Sequence, residues 1–400
     1  MNSRATSPVR PTVIAVLQTT LGMLAPFLLG ALATSMRGDV GMSPADLGLA
    51  ASGFFGVSAL VYAFANRRIE SLGVQTSTWL GVGFAVASLV LVGVAESTPA
   101  IVVAMVLGGP GNAISQLSAN MRLAQAVEPT HLGTAVGVKQ GAVPLGTMLA
   151  GFAVPAIALT VGWRFAFLAA PVLGLPLVVA SLSRRGRSSA RATARPPRGV
   201  LASRRGSLWL LAAAAGLATA AGQSSSVFYV DAVVTAGSLE GTAGLLLALG
   251  SAVGAVARIV VGIAADRLPF GHLRAVAGAM LLAVVGFVAL STQPQGAMLA
   301  LVTILAFAAS WGWNGLLTYA VMRLNPDAPA QATGITQTGL SVGAALGPLV
   351  AGQVASQASY DLVWLLSAGA LAIAGGLTLL ARHGLVLDHA TERPTATSPR

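Results

Sequence analysis

Residues Thr134–Gly151 read TAVGVKQGAVPLGTMLAG, and residues Gln331–Pro348 read QATGITQTGLSVGAALGP. At an offset of 197, Gly137 meets Gly334, Gln140 meets Gln337 and Gly146 meets Gly343. The same offset sets Trp163-Arg164 opposite Tyr360-Asp361, and an offset of 200 sets Asn66-Arg67 opposite Asp266-Arg267. Near 201, NMRL from Asn120 meets VMRL from Val321. Several matches in the same order indicate a duplicated unit. The first copy also carries Lys139, the only lysine of the chain, among glycine, alanine, valine, leucine and proline.

The surrounding composition says where that unit resides. Of 400 residues, 55% are hydrophobic and 9% charged, and mean hydropathy is +0.79. A soluble domain carries about a quarter charged residues, so the chain belongs in a membrane. Twelve runs reach the ~20 mostly apolar residues that a helix needs to cross a bilayer. They lie near 12–36, 44–65, 73–95, 98–122, 131–159 and 163–183, then near 207–234, 241–265, 272–292, 296–322, 331–356 and 360–382. The run from Val13 to about Thr34 exceeds the ~7–15 apolar residues of a cleaved signal and reads as the first span. The expectation is an all-α membrane protein with twelve transmembrane helices in two pseudo-symmetric six-helix halves. These halves are residues 1–183 and 207–383, joined by an arginine-rich linker at 184–206 and followed by a disordered tail at 384–400.

The net charge of +11 raises the question of nucleic acid, but the arginines lie between apolar runs rather than among aromatics on a polar face. That pattern fits anionic lipid and not base recognition. Arg67, Arg68, Arg122, the linker arginines, Arg267, Arg274, Arg323 and Arg382 fall on one side of the membrane. The other side carries Arg37 and Arg164 with Asp39, Asp46, Glu96, Asp231, Glu240 and Asp361. Positive residues stay inside, so both termini and the linker are expected in the cytoplasm. Without cysteine there is no disulfide or thiolate metal site, and the scattered histidines offer no metal pair. No phosphate loop or hydrolytic constellation occurs in a soluble segment, so the expectation is neither an enzyme nor a primary pump, with no cofactor. The cysteine-free, arginine-rich composition points to a high-GC bacterium and its inner membrane.

The connection after the eighth run, GIAADRLPFGHLR, places Gly262, Asp266, Arg267 and Arg274 in a G-x-x-x-D-R…R arrangement. With twelve runs and two halves, this resembles the major facilitator superfamily over essentially the whole chain. The resemblance implies a site between the halves, and a loop whose acid steadies one state of alternating access. The first-half copy has Tyr62 for the glycine and Asn66 for the acid, followed by Arg67 and Arg68. Drug–proton antiporters of the superfamily carry an arginine in the fourth helix, where this chain has Met105. Their G-x-x-x-G-P signature belongs to the fifth helix, whereas here it falls at Gly343, Gly347 and Pro348 in the eleventh. Both departures count against drug–proton antiport. Arg258-x-x-x-Gly262-x-x-x-Asp266 is similar to the eighth helix of oxalate–formate antiporters and monocarboxylate transporters, where an arginine meets substrate.

Charge at mid-bilayer costs about 2.5–3.5 kcal/mol on insertion scales, so Lys139 and Arg258 are the leading site candidates. Each lies about eight residues from the arginine-rich end, roughly 12 Å deep at ~1.5 Å per residue. In the superfamily's fold the fifth and eighth helices face each other, which would place both cations on one cavity. No acid stands at their depth in the sequence. An entering anion would relieve their repulsion, with arginine offering a planar fork and lysine a point charge. The competing readings are a lysine snorkelling to headgroups, an arginine serving backbone carbonyls, and a lysine that carries the coupling proton. Further candidates are Gln18, the helical row Asn112, Gln116 and Asn120, Gln140, Gln223, Tyr229, Trp313, Asn314 and Gln337. The expected function is secondary transport of a small organic anion by a monomer. A proton-coupled exporter of drugs or metabolites is the alternative, and a non-transporting sensor on the same fold is the third reading.

Overall fold

The computed structural model describes residues 9–182, 205–267, 271–325 and 328–391, and every regular element among them is helical. Helix α1 covers Val9–Ala31 and continues, after Leu32, as Ala33–Val40. Helices α2, α3 and α4 are Pro44–Phe64, Asn66–Val94 and Thr98–Ala126. Helix α5 is Pro129–Gln140 followed by Ala142–Ala153, a π turn at Val154–Ala158 and Leu159–Val161. Helix α6 is Trp163–Ala169, a 3-10 turn at Ala170–Gly174 and Leu175–Leu182. The second half comprises α7 Arg205–Thr235, α8 Glu240–Arg267, α9 His272–Leu290, α10 Gly296–Leu324, α11 Pro329–Gln357 and α12 Tyr360–Thr391.

Ten of these segments are long and apolar enough to cross a membrane. The other two are α6, which is shorter, and α7, whose polar run Gln223–Ser226 dilutes an otherwise apolar 31-residue helix. The linker expected at 184–206 lies outside the described residues except for Arg205 and Gly206, which begin α7. The tail expected from 384 requires correction. Helix α12 runs on to Thr391 because the sequence GLVLDHAT contains neither proline nor a glycine stop after Leu385, and the rest lies outside the described residues.

Local chemistry explains the helix ends. Ser43 Oγ accepts the Asp46 N–H, the Asp46 carboxylate accepts the Ser43 N–H, and Pro44 occupies the first turn of α2. This reciprocal cap satisfies two of the donors that a helix start leaves free. Gly73 takes φ 77° inside α3. The segment 66–72, with exposed Arg67 and Arg68, therefore departs from the span on the arginine-rich side. Large apolar side chains such as Val103, Phe165, Val285 and Leu301 are exposed, as lipid-facing positions of a helical bundle should be, while the polar side chains turn inward.

Each half packs on itself, α3 on α4 and α2 on α4 in the first, α7 on α11 and α8 on α10 in the second. The halves meet along α2 with α11, α5 with α8 and α1 with α7. All three seams are made by glycine at the arginine-poor end. A Cβ on Gly48 would lie 2.4 Å from the Pro348 carbonyl oxygen, on Gly151 2.5 Å from that of Gly244, and on Gly30 2.3 Å from that of Val227. Backbones that close hold the halves together along these seams, and outside them a cavity of about 460 Å³ lies between Arg37, Ser43 and Pro44 of the first half and Thr235, Gln295 and Tyr360 of the second. Toward the arginine-rich end the same helices diverge around a cavity.

Candidate substrate cavity between the halves

The cavity has a volume of about 650 Å³. Helix α2 contributes Phe55, Ser58 and Tyr62, α4 contributes Asn112, Gln116 and Asn120, and α5 contributes Lys139 and Gln140. From the second half come Thr219 and Gln223 of α7, Arg258 of α8, Trp311, Trp313 and Asn314 of α10, and Gln337 of α11. Tyr62, Asn66, Asn120 and Thr333 line it toward the arginine-rich end.

The two mid-membrane cations both border this space, and no carboxylate does among the described residues. Lys139 is 2% exposed, and its Nζ donates to Gln116 Oε1. The Gln116 Nε2 is in turn 3.2 Å from Met23 Sδ, and Asn112 Nδ2 donates to Ser58 Oγ at 2.9 Å. The α4 row thus holds the lysine head with a neutral amide and leaves its charge uncancelled. Arg258 donates from Nε to the Trp311 carbonyl at 2.8 Å and from Nη1 to the Gln140 carbonyl at 2.6 Å. Its guanidinium carbon stands 5.1 Å from the centre of the Trp311 ring, within cation–π range. No described residue accepts from its Nη2.

Several buried polar atoms along the wall have no partner among the described residues: the indole Nε1 of Trp311 and Trp313, Asn112 Oδ1, Thr219 Oγ1 and Gln223 Oε1. A buried donor or acceptor left unmade costs about 1–3 kcal/mol. The cavity can therefore bind a molecule that is anionic at one point, hydrogen-bonding along its flank and apolar where it meets the rings.

Of the predicted site residues, Lys139, Arg258, Asn112, Gln116, Gln140, Gln223, Trp313, Asn314 and Gln337 are brought together here. Two predictions are corrected. Gln18 is fully buried within the first half and donates to Ser118 Oγ. Tyr229 lies beyond the cavity toward the arginine-poor end, with its hydroxyl 2.5 Å from Thr303 Oγ1 and its ring edge-on to Phe307. Both satisfy a polar group between helices, the ordinary use of such residues in a bundle. Sequence reading missed the α2 wall, although Phe55, Ser58 and Tyr62 follow spacings of three and four and so share one face.

In the loop signature, the backbone of α8 reaches Arg267, while the side chains of Gly262, Asp266 and Arg267 lie outside the described residues. Arg274 and Arg67 are exposed, and Asn66 Oδ1 is buried beside the cavity without a partner among the described residues.

A second cluster, not anticipated, seals the arginine-poor end. Asp231 of α7 is fully buried and accepts from Arg37, from the Tyr360 hydroxyl and from Thr34 Oγ1, the last at 3.4 Å. Ser35 Oγ donates to Glu240 at 2.5 Å. Arg37, Thr34 and Ser35 belong to the first half, and Asp231, Glu240 and Tyr360 to the second. Beside this cluster, Arg164 pairs with Asp39 within the first half, and Trp163 Nε1 donates to the same carboxylate at 3.0 Å.

A family model described as Major Facilitator Superfamily matches residues 14–291 and 236–399. The chain belongs to this superfamily. It is therefore a multi-pass membrane transporter by family, with small-molecule cargo. A chloramphenicol resistance protein of Streptomyces lividans is 29% identical over 368 residues, covering 86% of this chain and 89% of the relative. Among solved structures, the fold is similar to that of a bacterial homologue of the human lysosomal transporter Spinster. Its inward-facing, unoccupied form superposes with a TM-score of 0.75 at 15% identity, covering 97% of this chain and 99% of that one. The inward-facing, occupied form gives 0.72 at 16% identity, covering 99% and 100%.

Proposed function

We propose that this superfamily member is a secondary transporter whose cargo is a small organic anion, held between Lys139 and Arg258 and carried by alternating access. The observation that carries the reading is the pair of cations bordering one cavity with no carboxylate among its described lining residues. An anion entering between them gains charge-assisted hydrogen bonds from Lys139 Nζ and from Arg258 Nη2, from which no described residue accepts. It also relieves a cationic pair held in a low-dielectric wall. Trp311, Trp313 and Phe55 supply surface for an organic body, which favours such an anion over a bare inorganic one. The positive-inside asymmetry supports placing the arginine-rich end, both termini and the cavity mouth on the cytoplasmic side of a bacterial inner membrane. The protein acts as a monomer in this reading, with the site formed by one chain. Asp266 and Arg267, with Arg274, would steady one state of the cycle, and Asn66-Arg67 would do so more weakly.

A second reading is proton-coupled export of drugs or metabolites, with Lys139 as the proton carrier. The similarity to a chloramphenicol resistance protein favours it. One binding experiment separates the two. The apparent thermal stability of the purified protein is measured against carboxylates such as benzoate, and against chloramphenicol. A ligand of the folded state raises stability by mass action. A benzoate shift abolished by Lys139→Gln and by Arg258→Gln supports the anion reading. A chloramphenicol shift that both variants retain, with no response to carboxylates, replaces it by the exporter reading.

A further inference from the structure

The Gln140 carbonyl is the unusual partner in the cavity. Its α-helical donor would be the N–H of the residue four positions on, and that residue is Pro144, which has none. Helix α5 breaks at this point. The first segment ends at Gln140, the Gly141 N–H turns back to Val138 O at 3.0 Å, and the second segment starts at Ala142. Arg258, from the opposite half, fills the gap with Nη1 at 2.6 Å. Pro144 is itself buried.

We infer that Arg258 is a positioning residue that supplies the donor Pro144 removes. It thereby ties the α5 break to α8 across the two halves until the substrate's anionic group takes the guanidinium over. The tie is independent of cargo; the takeover rests on the anion reading above. A carboxylate that grips the Nη1–Nη2 edge of the guanidinium as a bidentate pair competes with the Gln140 carbonyl for Nη1. Binding then loosens the contact between the halves at the level where α5 is already interrupted. Pro144 becomes a determinant of affinity without touching the ligand, because it makes the competing acceptor available.

The test is a double-mutant cycle with a ligand arm, on the full-length protein. In the wild type, Arg258→Gln orphans the carbonyl and should lower the apparent melting temperature by about 1–4 °C. In the Pro144→Ala background the helix supplies its own N–H, and the same change should cost less than half as much. Arg258→Lys, which keeps one donor, should recover part of the loss in the wild type. Equal losses from Arg258→Gln in both backgrounds would overturn the tie. The ligand arm titrates benzoate. Pro144→Ala alone should tighten its apparent Kd about threefold, as expected when a competing state is depopulated. An unchanged Kd, with the cycle non-additive, overturns the takeover and leaves the tie. No benzoate binding to the wild type refutes the anion reading, and the cycle still decides the tie.

Discussion

The two ends of the interface use charge in opposite ways. At the arginine-poor end, Arg37 and Asp231 meet across the halves, Tyr360 and Thr34 complete the carboxylate, and glycine seams bring backbones together. In the cavity, Lys139 and Arg258 are held by an amide and by carbonyls, all neutral. A buried ion pair with its hydrogen bonds made is a closed lock, since breaking it strands a charge. A buried cation beside neutral acceptors is incomplete, and an anion improves it. The first arrangement joins the halves and the second, in the reading proposed above, is where an anionic cargo would bind, so removing charge should have different consequences at the two places.

The seams offer the largest effect. Gly48→Leu would drive a side chain into the Pro348 carbonyl and the Gly352 backbone, neither of which can rotate away. Alternating access requires this end to close. Transport should fall by more than about tenfold while the protein still folds, because overpacking in a bistable interface selects the other state. The natural chain has no cysteine, so labelling of a Thr34→Cys reporter in the seal reads the change directly: slow in the parent, fast with Gly48→Leu. Slow labelling in both would show that the seam is not what closes the end.

Lys139→Gln should come next. Losing a charge-assisted bond, about 1.5–3 kcal/mol, weakens anion binding roughly tenfold to a hundredfold. The melting temperature should hold or rise, since a cation paired only with neutral Gln116 is removed. Asp231→Asn should do the reverse. Affinity in the cavity stays within about twofold, while labelling at the Thr34→Cys reporter accelerates, because Arg37 and Tyr360 lose the charge they converge on. If Asp231→Asn abolished binding and Lys139→Gln opened the seal, the division of labour drawn here would be inverted.

The helices were legible because a bilayer demands long apolar runs and leaves few alternatives. The duplication was legible because Gly137 with Gly334, Gln140 with Gln337 and Gly146 with Gly343 recur at one offset in the fifth and eleventh segments. Lys139 and Arg258 stood out for the same reason, as charges where charge is expensive. What could not be read was pairing at a distance. Asp231 looked like a boundary acid because its partners Arg37 and Tyr360 lie 194 and 129 positions away. Tyr229 and Gln18 looked like cavity residues because a period of 3.6 gives a face but not the neighbour it meets. Helix α2 was overlooked because its cavity row is mostly apolar, and apolar residues in a membrane span carry no signal of their own. Pro144 is recognisable in the sequence as a residue without an N–H, whereas its consequence for Gln140 emerges only when Arg258 is brought alongside.

The smallest effect expected is at the rim of the sealed end, and it sharpens the contrast between exposed and buried pairs. Asp39 is exposed in the last turn of α1, and its hydrogen bonds from Arg164 and Trp163 hold its carboxyl below the ordinary carboxylate range. A depressed carboxylate contributes stability that is present above its ordinary value, near pH 4, and is lost as pH falls through the lowered one. Comparison of the parent with Asp39→Asn across the acid range should therefore show a slightly steeper loss of stability in the parent below about pH 4. The difference should shrink at about 1 M salt, where exposed charges are screened within about 3 Å. The Arg37–Asp231 pair, whose carboxylate is fully buried, should keep most of its effect on Thr34→Cys labelling under the same salt. Equal salt sensitivity at both pairs would mean that water reaches Asp231 and that the seal is looser than its geometry indicates.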